Sequence, residues 1–234
     1  MFRFDFMRNI VLVILLFTSF LASAQFGLKE MYGFTRFKVN VGMRDVLYAT
    51  EVNGTTGETP FVMPLQLGNG VTFEGGLGFM IVKHFFVESA LSYTFLHDKI
   101  NHNPESDYYI SDYRFNKTTL GANGIYFLDI SPHFNLDLFM GLGLRVPQDL
   151  VVNTSQGTEK VKFNTTVTYQ GGFGGSYIHN NWVFGAGLTY HFETYKMSYF
   201  QDIPDNFFEI NFESDIDNFK MAGADITFSC RYLF

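Results

Sequence analysis

The chain has 234 residues, with 16 lysines and arginines against 23 aspartates and glutamates, a formal net charge of −7. An acidic chain with no basic run along its sequence is a poor fit to nucleic acid, so no nucleic-acid partner is expected. Its hydrophobic content of 47% is ordinary, and beyond the first 24 residues no stretch of 18 is apolar, which excludes transmembrane helices but not membrane strands, whose alternation an averaged scale hides.

At the start, Arg3 and Arg8 precede an apolar run from Ile10 to Leu21, and Ala22-Ser23-Ala24 supplies the small residues of a cleavage site. That pattern predicts a signal peptide over residues 1–24 and a mature domain over 25–234. Without Arg3, Asp5 and Arg8 the mature chain keeps 14 basic and 22 acidic residues, a net charge of −8. No cysteine follows the cleavage site, so a lipoprotein is not expected. Cys230, the chain's one cysteine, is read as a small lipid-facing residue.

Eight segments then alternate with period 2. The first, about 33–44, sets Phe37, Val39 and Val41 against Arg36, Lys38 and Asn40. In the second, 69–82, Phe73, Leu77 and Phe79 oppose Thr72, Glu74, Gly76 and Gly78, and Lys83-His84 forms a two-residue turn. The third, 85–96, places Val87, Leu91 and Tyr93 outward and Glu88, Ser92 and Thr94 inward. The fourth, 113–128, alternates poorly in its first half. After Ser131-Pro132-His133 the fifth, 134–145, opposes Leu136, Leu138, Met140, Leu142 and Leu144 to Asn135, Asp137, Gly141, Gly143 and Arg145. The sixth, 161–177, turns at His179-Asn180-Asn181 into the seventh, 182–192. The eighth, Met221 to Phe234, carries Ile226, Phe228, Tyr232 and Phe234 on one face and Asp225, Thr227, Ser229 and Arg231 on the other.

Three short turns alternate with four long connections, 45–68, 97–112, 146–160 and 193–218. One apolar and one polar face on every segment, a terminal aromatic and this asymmetry predict an all-β fold, an eight-stranded antiparallel transmembrane up-and-down β-barrel. A soluble barrel of the same size would turn its apolar face inward. The expected setting is the bacterial outer membrane, with both termini periplasmic, the long loops extracellular, and aromatic girdles at both borders.

The eight segments, the repeated glycine-apolar stretches (GGLGF from Gly75, GLGL from Gly141, GAGL from Gly185) and the terminal RYLF resemble the small outer-membrane β-barrel superfamily, including OmpX-like, OmpW-like and PorT-like proteins. The resemblance implies outer-membrane residence and insertion by the barrel-assembly machinery. It carries over no active residues. The expected surroundings are outer-membrane lipid and lipopolysaccharide.

Inward positions hold Arg36, Lys38, Glu74, Glu88, Asp137, Asp225 and Arg231. Charges in a narrow bore must pair or be hydrated, so a cross-lumen network that closes the bore is expected, with a polar conduction path as its alternative. The second connection gathers His97, Asp98, His102, Ser106, Asp107, Ser111 and Asp112, but no spacing matches a catalytic triad. The fourth is rich in acids and aromatics but lacks the glycine and terminal glutamate of a calcium loop. No cofactor and no metal are expected. Phe207, Phe208 and Phe212 stand among charges as a candidate partner surface. The chain is therefore expected to be a structural or partner-binding envelope component without catalytic activity, such as one subunit of a larger outer-membrane complex. A narrow channel for small or apolar solutes is the alternative, and a lipid A-modifying enzyme the third.

Overall fold

Alternation of the kind seen in every segment has one stable outcome in lipid, a sheet whose edges meet so that no backbone group is left unpaired. The computed structural model describes residues 31–44, 47–51, 61–65, 67, 69–99, 110–154, 157–201, 208–209 and 219–234. Eight antiparallel strands form its wall: β1 (Met31–Arg44), β2 (Gly70–Val82), β3 (Phe85–Phe95), β4 (Lys117–Ser131), β5 (Phe134–Pro147), β6 (Thr166–His179), β7 (Trp182–Tyr195) and β8 (Phe219–Leu233). Each pairs with its neighbours in sequence, and β8 pairs with β1, Phe37 opposite Phe228, so the barrel is closed. The candidate signal segment and the proposed cleavage site lie outside the described residues.

The outward face is apolar all the way round. Phe73, Leu91, Leu142, Phe173, Leu188 and Phe228 are exposed on six different strands, and Met140 is 73% exposed. Water would not tolerate such a continuous belt, and lipid requires it. At the short-turn end the belt is edged by Trp182, Tyr232 and Phe234, with Trp182 4.9 Å from Tyr232, and by Phe134 on Tyr177 at 5.0 Å. At the opposite end Phe37, Phe73, Tyr93 and Phe95 pack edge to face or tilted. The three short turns are tied to the next strand: Phe127 N–H donates to His84 O, Ile178 N–H to His133 O and Leu233 N–H to Asn181 O. Rings from the turns also rest on belt tyrosines, His84 on Tyr126 and His133 on Tyr177. That contact gives the three turn histidines a physical role, since His179 stacks on Tyr177 as well.

Above the wall the long connections are not plain loops. Ladder pairing breaks at Leu96, Phe115-Asn116, Gln148-Asp149, Asn164-Thr165 and Lys196, then resumes as a five-stranded rim sheet ordered Met197–Gln201, Gly157–Phe163, Leu150–Thr154, Ile110–Arg114, His97–Lys99. A smaller sheet joins Phe208–Glu209, Leu47–Glu51 and Phe61–Leu65. The fourth and sixth predicted strands are thus each two strands separated by a break, and in the fourth that break is why the alternation falters in its first half.

Candidate functional site

The inside of the barrel is stratified. At the short-turn end Tyr32, Phe34, Phe86 and Ala90 form a buried cluster, with Met80, Phe127 and Leu233 against it. Room for these rings comes from glycine: a Cβ on Gly78 would lie 2.3 Å from the Tyr32 ring. The aromatic layer connects upward through Tyr32, whose hydroxyl donates to Glu88 Oε1 at 2.8 Å.

The next layer is a ring of polar groups spanning the bore. Arg36 donates to Glu74 at 2.6 Å and to Glu88 at 2.5 Å, and Lys38 donates to the other oxygen of Glu74 at 2.7 Å. Asn123 donates to Glu88, Gln170 to Asn123, and Lys38 reaches Gln170, so the loop closes across β1, β2, β3, β4 and β6. Beside it Arg231 Nη2 donates to Asp137 at 2.8 Å, and Ser176 donates to the second Asp137 oxygen. The Arg231 guanidinium lies 4.9 Å from the Phe127 ring centre, and that of Arg36 4.2 Å from Phe34. Asp225 sits apart, its Oδ1 3.2 Å from His191 Nδ1. All seven charged residues singled out in the sequence therefore line the interior, and six of them form two pairing groups.

A further layer was not anticipated. Glu193, fully buried, accepts from Lys117 at 3.3 Å, from Arg145 and from the Tyr195 hydroxyl at 2.7 Å. Arg145 Nε also donates to Thr119, and Lys117 to the Leu67 carbonyl. Arg145 had the right parity on its strand to be found. Glu193 lay one alternation beyond the assigned end of the seventh segment, and Lys117 lay just after the break in the fourth.

Over this layer the inner face of the rim sheet is apolar: Leu96, Tyr113, Phe115, Leu150, Val152, Val161 and Phe163 are buried. Phe115 packs edge to face on Phe163 at 5.4 Å and Tyr195 at 5.7 Å. Two small voids lie within the filling among the described residues, about 20 Å³ beside His191, Asp225 and Arg145 and about 30 Å³ beside Arg36, Asp137 and Arg231. Voids of this size hold one or two waters, not a solute.

Of the candidate partner surface, Phe207 and Phe212 lie outside the described residues. Phe208 opens a two-residue strand opposite Glu51. In the second connection His102, Ser106 and Asp107 are likewise outside. Ser111 Oγ donates to Asp112 at 3.1 Å and His97 Nε2 lies 3.6 Å from the same carboxylate, so both contact the acid. Desolvation pushes the Asp112 carboxyl up, but hydrogen bonds from Asn153 and Ser111 and the neighbouring His97 outweigh it and hold the group below its ordinary range. Among the described residues no three histidine, cysteine or acidic side chains are grouped as metal ligands.

No family model and no curated protein matches the sequence. Similar solved structures include Neisserial surface protein A, 12% identical over 86% of this chain and 96% of its own with a TM-score of 0.45. Ail, the attachment invasion locus protein of Yersinia pestis, is 12% identical over 88% of this chain and 99% of its own at 0.43. The outer membrane protease OmpT from Escherichia coli is 9% identical over 91% and 99% at 0.40. These are likenesses of fold, that of outer-membrane barrels. They also correct one expectation. A chain without catalytic activity was expected, but a protease stands among the similar barrels, so the architecture does not make this chain a non-enzyme.

Proposed function

We propose that this protein acts through its rim and not through its bore, as a structural or partner-binding component of the outer membrane. One observation carries the reading: the interior is filled in succession by an aromatic layer, a closed polar ring, the Glu193 cluster and an apolar cap. A conduit would need a continuous path wider than the two water-sized voids. In this reading the short turns and both termini face the periplasm, the rim sheets face outward, and Phe207, Phe208 and Phe212 belong to the partner surface.

Mild-detergent extraction followed by native mass measurement tests it. A second protein in fixed ratio, released by changing Phe207, Phe208 and Phe212 together to serine without loss of the barrel, is the expected result. A lone barrel, or one whose partner is indifferent to those changes, would contradict it. Orientation is tested on whole cells: Lys160→Cys in a Cys230→Ser background should react with a membrane-impermeant thiol reagent.

A further inference from the structure

The inner face of the rim sheet is apolar, so its other face is the one presented outward, in continuity with the lipid belt. Strand register brings distant residues together on that outward face. His97 stands opposite Arg114, Arg114 opposite Val151, and Val151 opposite Lys160, making one row across four strands. Lys99 is two residues above His97, and Lys162 two residues below Lys160. His97, Lys99, Arg114, Lys160 and Lys162 are all exposed. Among the residues whose burial is described, every exposed lysine or arginine except Lys83 lies on this rim, the fifth being Lys196. On the described part of this face Lys99, Arg114, Lys160 and Lys162 stand against Asp112 and Asp149, a local excess of positive charge in a chain of net charge −7.

Beneath the row runs a groove of about 520 Å³ lined by Arg114, Asn116, Gln148, Asp149 and Val151. It lies where the ladder breaks, between the cations and the aromatic border. Gln148 donates to the Tyr93 hydroxyl at 3.2 Å and accepts from Asn116 at 3.3 Å, so two carboxamides face the groove's lower edge. Two acids share the face: Asp112, held by Asn153 and Ser111, and half-buried Asp149. Cations one outward position above an aromatic border stand at the level of lipid headgroups, not of acyl chains.

We infer that this face binds phosphate-bearing lipid headgroups of the leaflet on the rim side, with the Arg114 fork and the Lys160 and Lys162 ammonium groups on phosphate oxygens and the acyl chains along the belt below. The barrel reading is a premise. The choice of leaflet alone rests on the proposed orientation, and binding in solution does not depend on it.

The experiment uses the full-length mature barrel in a neutral detergent, titrated with lipid A and with the same lipid after removal of its phosphates. Bound lipid is counted by native mass measurement and the unfolding midpoint is followed in parallel. Lipid A should bind and raise the midpoint, with the required concentration rising at least about tenfold in R114Q/K160Q/K162Q and several-fold when salt is raised from about 0.1 to 0.5 M. Lys83→Gln, at the other end, should behave as wild type. Equal binding of the dephosphorylated lipid, or wild-type binding by the triple variant, overturns the inference. So does an equal midpoint shift with inorganic phosphate at the same concentration, which would mean an anion site and not a headgroup surface. Should the triple variant fail to fold, Arg114→Gln alone must weaken lipid A binding about threefold, and no loss there is equally contrary.

Discussion

Glu193 shows how much a single side chain holds in a closed bore. It is fully buried with two cations and a tyrosine hydroxyl on it, and among the described residues no other carboxylate forms an ion pair with either cation. Glu193→Gln keeps the shape but strands Lys117 and Arg145, and is expected to cost about 3–5 kcal/mol in denaturant unfolding from detergent. Adding Lys117→Met should recover part of that loss, because one uncompensated charge goes with it. An effect below about 1 kcal/mol would mean that water reaches the cluster and screens it. Gly78 is sensitive for a steric reason. Gly78→Ala must displace the Tyr32 ring and should cost about 1–3 kcal/mol, whereas in a Tyr32→Ala background the same change should cost little. Additive losses in that cycle would refute the contact. Arg36, Glu74 and Glu88 were legible because their strands alternate cleanly, with parity alone deciding which way each points. Lys117 was not, because it stands beside a ladder break where parity stops being a guide, and Glu193 was not, because its strand keeps its parity to Tyr195, beyond the expected end at 192.

At the scale of elements, the wall strands differ in how plainly they declare themselves. β5 has apolar residues outward and mostly small or polar ones inward, so its register was readable. β4 carries Ile125 and Phe127 on its inward face at one end, and Tyr113 and Phe115 continue that face beyond the break at the other. Apolar groups therefore fall on both faces and the period dissolves. The same cause hid the rim sheet: once a connection packs an apolar inner face over the bore, it reads as an irregular loop of mixed character. The outward face obeys a simpler rule, which a single charge checks. Leu142→Arg, in the middle of β5, should destabilise the barrel by about 2–4 kcal/mol in lipid vesicles. Thr158→Arg, exposed on the rim face, should change stability by less than about 0.5 kcal/mol. If the two substitutions cost the same, the belt is not where the lipid is.

For the whole molecule, the aromatic layer, polar ring, Glu193 cluster and apolar cap act in series, so opening one leaves the others shut. Inward parity and the eight-strand count together made a crowded lumen foreseeable, while the cap depended on contacts between connections far apart in sequence. The gathering of His97, Arg114 and Lys160 into one row has the same origin, since no run along the chain contains them. Conductance across a planar bilayer addresses the closed bore most directly. Purified wild-type barrel should add no current above the bare membrane, because all four layers stand across the path. Stable single-channel steps from the wild type would contradict the closed-bore account.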